Sequence, residues 1–293
     1  MIEKETERAS RIRIAIPNKG RLFEDCHDLL RRMGLEFEAH DRKLSALVRN
    51  VPAEILYLRA GDIPRYVAEG RIDLAITGLD LVKEHHMRVK ILEKLGFGKT
   101  DLVVGVPEGS GIREVRELNG KTIATTFPNI SRAFFAKKKV KVELVVVGGA
   151  VEVAPLAGLA DAIVDLTASG STLRMNHLMP IATIMRSEAV LIGQTRPRKE
   201  ARELVRILSV RARSVIAASK KRYIMMNAPE DRLEMIKLVV PGLRSPTIMK
   251  LTEPGMIAIH SVIDDADIWS VIHQLQDIGA TGILVFPIEK MIP

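Results

Sequence analysis

Asp161-Ala162-Ile163-Val164-Asp165-Leu166-Thr167-Ala168-Ser169-Gly170-Ser171-Thr172-Leu173 is the stretch on which the fold turns. Ile163 and Val164 mark a buried strand over Asp161 to Leu166, which ends in a turn of small hydroxyl residues with one glycine. A helix from Thr172 onward is expected to follow. A buried strand that runs straight into a helix is a βα unit, and such units stack into mainly parallel sheets covered by helices.

The same unit recurs upstream. Arg11 to Pro17 reads as a strand, and Leu22, Leu29, Leu30 and Met33 form the apolar stripe of a helix that Gly34 stops. A strand at Glu54 to Leu58, a helix from Asp62 to Glu69 and a strand at Ile72 to Thr77 follow. Pro64 is tolerated there because first-turn N–H groups have no partner within the helix. After Gly96-Phe97-Gly98 the pattern restarts, with strands at Asp101 to Val106, Lys121 to Thr125 and Val142 to Val147 and helices between them. Two further apolar runs, Ile181 to Met185 and Glu188 to Ile192, are expected to return the chain to the first sheet. The expected solution is two α/β lobes with a cleft, where ligands bind near strand carboxyl ends and helix N-termini.

Beyond one long helix, Arg198 to Ser219, the order changes. A strand at Tyr223 to Asn227, a helix at Glu230 to Val240, strands at Thr247 to Leu251 and Gly255 to Val262, a helix at Asp267 to Ile278 and a strand at Gly282 to Pro287 give β-α-β-β-α-β. That is the ferredoxin-like arrangement, a separate domain of about 75 residues. Met225-Met226 read as core.

Composition closes several functional classes. The single cysteine, Cys26, excludes a disulfide framework and an all-cysteine zinc site, and fits a reducing, cytoplasmic setting. The polar start, Met1 to Arg8, lacks the apolar stretch of a secretory signal, and the most apolar region, Leu144 to Ala160, is broken by Gly148, Gly149, Glu152 and Pro155, so no membrane is expected. The formal charge of +8 invites a nucleic-acid reading. The densest run, Lys137 to Lys139 with Lys141, has no interleaved aromatics and suits a helix C-terminus, so no nucleic acid is expected. His85-His86 are poorly spaced for one metal, and no second pair accompanies them.

Chemistry concentrates in the hydroxyl turn. Main-chain N–H groups beside Ser and Thr hydroxyls cradle a phosphate, and Asp165 just before them accepts from sugar hydroxyls; a Ser/Thr-rich helix cap reads equally well locally. Walker and Rossmann patterns are both absent. Over a longer span, Glu152, Gly158, Ala160, Ile163, Asp165, Leu166, Ser169, Gly170, Thr172 and Leu173 stand in an order that resembles the signature of the ATP phosphoribosyltransferases. The likeness covers nearly the whole chain. Lys19-Gly20-Arg21-Leu22, Arg42-Lys43-Leu44, Leu58 to Pro64, Ile76 to Asp80, Ile123 to Asn129, Pro241-Gly242 with Ser245 to Thr247, and Pro287 to Lys290 resemble further family elements.

The resemblance implies the first step of histidine biosynthesis, the transfer of a phosphoribosyl group from phosphoribosyl pyrophosphate to N1 of the adenine of ATP. It implies Thr167, Ala168, Ser169, Gly170, Ser171 and Thr172 around the 5′-phosphate, and Glu152, Asp161 and Asp165 as acceptors for the ribose. Arg21, Arg42 and Lys19 would serve the departing pyrophosphate, and Arg59, Asp80 and Gly98 the ATP. The implied cofactor is Mg2+, carried largely by pyrophosphate oxygens, so no protein metal ligand is named.

The implied architecture is a two-lobed, periplasmic-binding-protein-like catalytic core. Residues 1–98 with 187–219 form lobe I, and 99–186 form lobe II with the phosphoribosyl pyrophosphate loop. Residues 220–293 form the ferredoxin-like regulatory domain of the family's long form, in which histidine acts as feedback inhibitor and homo-oligomers from dimer to hexamer assemble. By matched position Asn227, Thr247, Val262 and Gly282 would surround the inhibitor, and Asn227 leaves its contact uncharged. Rival readings fare worse. A solute receptor calls for a signal peptide and a transcription regulator for a helix-turn-helix, while a catalytically dead subunit predicts losses in Asp161 to Leu173, which is intact.

Overall fold

The structure, a computed structural model, describes residues 11–38 and 44–292. Its contacts divide the chain into two compact units, Met1–Ser209 and Val210–Pro293. In the first unit β1 (Ile12–Pro17) leads into α1 (Phe23–Arg32), which buries Cys26, Leu29 and Leu30 and carries Glu24 and Asp25 in its first turn and Arg31 and Arg32 in its last, as the helix dipole favours. Then come β2 (Ser45–Leu47), β3 (Ala53–Leu58), α2 (Ile63–Ala68), β4 (Leu74–Gly78), α3 (Leu79–Glu84) and β5 (Val89–Lys94). The chain crosses to a second sheet through β6 (Thr100–Pro107), β7 (Thr122–Thr125), α4 (Pro128–Lys138), β8 (Glu143–Val146), β9 (Ala162–Thr167), α5 (Ser171–Met175) and β10 (Leu178–Ser187). It returns through β11 (Ala189–Gln194) into the long α6 (Lys199–Ser219).

Both sheets are mixed rather than mainly parallel. The first runs β2-β3-β1-β4-β11-β5 and the second β10-β6-β9-β7-β8. In the first, β1 is parallel to β3 and β4, but β11 lies antiparallel between β4 and β5. In the second, β7 is parallel to β8 and β9, but β6 is antiparallel to both β9 and β10. Apart from the short edge strand β2, which pairs antiparallel with β3, the antiparallel strands are those at the two crossings between lobes, where the chain enters or leaves a sheet without a covering helix to reverse it. Only the second apolar run rejoins the first sheet; Ile181 to Met185 stays in β10, against β6. The helices expected on either side of β7 reduce to α4 alone, with 3₁₀ turns at Val115–Leu118 and Val151–Val153 elsewhere. Gly148, Gly149, Pro155 and Gly158 leave no helical run long enough between β8 and β9.

One core face of the first sheet packs Ala15, Ile63, Val67, Ala75 and Ile192, and the second sheet buries Leu102, Val104, Ile123, Phe135 and Val164. The lobes also meet away from the crossings. Buried Glu84 accepts the main-chain N–H groups of Asn129 at 2.9 Å and Ile130 at 3.0 Å, so a carboxylate from the first lobe caps α4 of the second.

The C-terminal unit contains β12 (Lys221–Pro229), α7 (Leu233–Val239), β13 (Thr247–Lys250), β14 (Met256–Asp264), α8 (Ile268–Ile278) and β15 (Thr281–Pro287). Its antiparallel sheet runs β13-β14-β12-β15, the ferredoxin-like order. The division between units falls within α6, upstream of the 219–220 boundary expected from the sequence, because the helix's last turns belong to this unit; Met291 N–H donates to the Ser214 carbonyl at 3.0 Å. Ile224, Met226, Ala228, Ile257, Ile259 and Leu275 form its core. The two-residue period of a strand sends Met225 to the opposite face, so only Met226 of the pair is core.

Candidate active site

The carboxyl ends of β1, β3 and β4 carry the candidate residues of the first lobe. Lys19 is exposed in the turn after β1, and Arg59 is exposed directly after β3. Asp80, in the first turn of α3, is only 2% exposed. Arg21 donates through Nη1 to the Gly98 carbonyl at 3.0 Å and to Thr100 Oγ1 at 2.8 Å, while its Nη2 lies 3.5 Å from Asp80 Oδ1. Three residues assigned separately from the sequence, Arg21, Asp80 and Gly98, therefore meet at the crossing from β5 to β6. Close approach explains two glycines: a Cβ on Gly78 would collide with Asp80 Oδ1, and one on Gly98 with the Leu22 side chain. Arg42 lies outside the described residues.

Ser187 and Thr100 complete this cluster, and sequence reasoning missed both. Each stands at a crossing, and nothing local in the sequence marks a serine or threonine there as a partner for Asp80 or Arg21.

In the second lobe, Glu152 follows β8 in the Val151–Val153 turn, and Thr167 ends β9 with Ala168 to Thr172 after it, so both sit at the carboxyl end of the parallel strands. Thr167 Oγ1 accepts the Gly170 N–H at 2.9 Å, the Ser169 and Ser171 hydroxyls are 2.9 Å apart, and Ala168, Ser169, Ser171 and Thr172 are exposed. The helix that follows, α5, has only five residues, so the loop's own N–H and hydroxyl groups supply what an anion would meet there. Arg174, not anticipated from the sequence, folds back to donate to the Ser169 carbonyl at 3.3 Å. Asp165, two residues before the loop, has its pKa pushed up to about 6, first by burial and further by the charge of Glu152, against the opposing Leu166 N–H.

Asp161 requires a correction. It precedes β9 and so lies at the far end of that strand, about 20 Å from the loop at ~3.3 Å per residue. Its oxygens accept the Thr122 N–H at 2.9 Å and Lys121 Nζ at 3.2 Å, and these contacts, the Thr122 N–H foremost, hold its carboxyl below the ordinary range. Asp161 ties β9 to β7 and cannot share a ligand with Thr167 to Thr172.

In the C-terminal unit, Asn227, Thr247 and Val262 share the sheet face opposite the core. Thr247 is paired with His260, Val262 with Tyr223 and Asn227 with Ala258. A Cβ on Gly282 would stand 3.7 Å from Asn227 Nδ2. Tyr223 Oη and His260 Nδ1 are 2.7 Å apart among these residues, a pair that alternation on β12 and β14 could have flagged but only strand register could join.

A family model described as ATP phosphoribosyltransferase matches residues 59–213, and one described as the C-terminal domain of the same protein, HisG, matches residues 218–290. The chain belongs to the ATP phosphoribosyltransferase family. An ATP phosphoribosyltransferase of Methanosarcina barkeri is 42% identical over 291 residues, with 96% of this chain and all of the relative covered. One from Bacteroides fragilis is 44% identical over 281 residues, covering 96% of this chain and 99% of the relative. Among solved structures, a chain of the ATP phosphoribosyl transferase (HisG:HisZ) complex from Thermotoga maritima aligns with a TM-score of 0.62 and 29% identity, over 70% of this chain and 97% of that one. The family performs the first step of histidine biosynthesis, with ATP and phosphoribosyl pyrophosphate as substrates. Both family models fall on an α/β fold with a separate antiparallel C-terminal sheet, as the sequence leads one to expect. Among the described residues no helix is long and apolar enough to cross a membrane, and no group of three or more His, Cys, Asp and Glu side chains is placed to hold a metal ion.

Proposed function

We propose that this family member, as a cytoplasmic enzyme, joins ATP to phosphoribosyl pyrophosphate with the residues of its two strand-end clusters. One observation carries the reading: the Glu152–Asp165 carboxylate pair stands beside the Thr167 to Thr172 loop, at the carboxyl end of the second sheet's parallel strands. The loop receives the 5′-phosphate, and the carboxylates accept from the ribose hydroxyls, which relieve the repulsion between them. In the transfer, adenine N1 donates its lone pair to C1′ while the C1′–oxygen bond breaks and its electron pair leaves with pyrophosphate. N1 needs no general base, so positioning and charge stabilisation do the work. Arg21, with Lys19 and Arg42, serves the departing pyrophosphate, Arg59 and Gly98 face ATP, and buried Asp80 serves the nucleotide site through Arg21 rather than by direct contact. Mg2+, when bound with the substrate, neutralises pyrophosphate oxygens; the acidic pair Glu152 and Asp165 suits contact through water or ribose hydroxyls rather than a protein cage.

The C-terminal sheet is the proposed histidine sensor, with Asn227, Thr247, Val262 and Gly282 around the inhibitor, and the chain is proposed to work as a homo-oligomer between dimer and hexamer. The 97% coverage of the Thermotoga chain by 70% of this one supports a long form with an added domain. Residues 1–98 with 187–219, 99–186 and 220–293 are the proposed functional divisions. Thr247→Ala is expected to weaken histidine inhibition about tenfold, the loss of a hydrogen bond to a charged ligand, while uninhibited turnover stays within twofold. Steady-state rates across a histidine titration check this, and equal loss of both would make Thr247 structural. The reaction itself is tested by near-ultraviolet absorbance of the chain with ATP, phosphoribosyl pyrophosphate, Mg2+ and pyrophosphatase. A substrate-dependent rise suppressed by histidine supports both assignments, a rise indifferent to histidine removes the sensor, and no rise from folded protein removes the activity.

A further inference from the structure

Ser187 is the last residue of β10, where the chain leaves the second sheet for the first, and it is only 3% exposed. Its hydroxyl donates to Asp80 Oδ1 at 2.6 Å and accepts the Asp80 main-chain N–H at 3.0 Å. The next carbonyl, that of Glu188, accepts the Leu79 N–H at 3.0 Å, so the returning crossing satisfies the two leading N–H groups of α3. The carboxylate held in this way faces Arg21 at 3.5 Å, and the rest of the guanidinium is bonded to Gly98 and Thr100 on the outgoing crossing. Ser187, Asp80, Arg21 and Thr100 thus form one connected line joining both passages of the chain between lobes.

We infer that Ser187 is a positioning residue for the transfer, acting through Asp80 on Arg21. The inference rests on the proposed role of Arg21 toward pyrophosphate. A buried carboxylate accepts from several directions, and the Ser187 hydroxyl, at 2.6 Å, is its shortest contact in this cluster. Without that hydroxyl the carboxylate can rotate away from Arg21, and the guanidinium loses the partner that sets its direction. An error of this size in a charge-stabilising group lowers turnover more than ground-state binding.

The test is a double-mutant cycle on the full chain, with kcat and KM measured for both substrates. Ser187→Ala is expected to lower kcat about tenfold with KM for phosphoribosyl pyrophosphate within twofold, and Ser187→Thr, which restores a hydroxyl, to recover most of the loss. In an Arg21→Ala background, Ser187→Ala is expected to change kcat by less than twofold, because its route to the reaction is already cut. Thermal unfolding of each variant separates misfolding from misplacement, and Ser187→Thr keeps the test open should the alanine variant fold poorly. Unchanged kcat in Ser187→Ala, or the same tenfold loss with and without Arg21, overturns the inference and leaves the role of Arg21 standing. Wild-type turnover in Arg21→Ala overturns that role and the inference with it.

Discussion

Arg21→Ala is expected to lower kcat by about 10²- to 10³-fold, with KM for phosphoribosyl pyrophosphate changed by less than about threefold. Pyrophosphate gains charge as its bond to C1′ breaks, so a guanidinium aimed at it interacts more strongly with the transition state than with bound substrate. Loss of such a contact lowers kcat and kcat/KM together. The side chain keeps 37% of its surface open while three of its contacts hold it in place, as a pre-aimed cation requires. The same substitution strands the Asp80 carboxylate, 2% exposed, without its cation, so a fall in Tm is expected alongside. Arg21→Lys separates the two effects: it returns a charge to Asp80 but not the forked donor set, so Tm should recover further than kcat. Steady-state kinetics with parallel thermal unfolding decide the matter, and turnover near wild type in Arg21→Ala would remove the residue from the reaction.

Asp165→Asn is expected to make the protein more stable and a poorer enzyme. The folded-state pKa of Asp165 stands at about 6 against an ordinary 3.8, chiefly through burial. A carboxyl whose pKa is raised on folding binds more protons in the folded chain across that window. Its contribution to stability is therefore present at low pH and is lost as pH rises from about 4 through about 6. Above that window the charged group costs up to about 3 kcal/mol, which an uncharged amide of similar shape avoids. The variant should unfold at a higher temperature than the parent at pH 7.5, with the gap closing as pH falls toward 4. Its KM for phosphoribosyl pyrophosphate should rise about tenfold or more, because an amide is a weaker acceptor for ribose hydroxyls than a carboxylate. Thermal unfolding across pH with kinetics at one pH tests both halves, and a Tm difference independent of pH would refute the electrostatic account. A site that stores such strain and yields it to substrate is a common exchange of stability for function.

Some features of this chain were legible because they are local. The βα unit at Asp161 to Leu173 follows from a short apolar run, a hydroxyl turn and the onset of a helix, and the order of elements after Arg198 identifies the antiparallel C-terminal unit. The strand β5 was missed because Val89 to Lys94 interleaves charges with its apolar residues and lies at a sheet edge, half exposed. Asp161 and Asp165 look alike in sequence, four positions apart, yet one precedes β9 and the other lies near its carboxyl end, so only Asp165 stands near the loop. Which end of a strand faces a ligand depends on the direction of its neighbours.

By itself, then, the sequence determined the two kinds of sheet-bearing unit and the family, since both rest on residue type and short-range spacing. The tertiary structure alone decided the mixed strand directions, the placing of Met225 and Asp161, and the line from Ser187 to Arg21. Ser187 and Asp80 are 107 positions apart in the chain, and they meet because two crossings between lobes pass the same helix end. Local periodicity carries no information about such a meeting; it arises when strand register and the closing of two lobes bring one buried carboxylate within reach of partners from both.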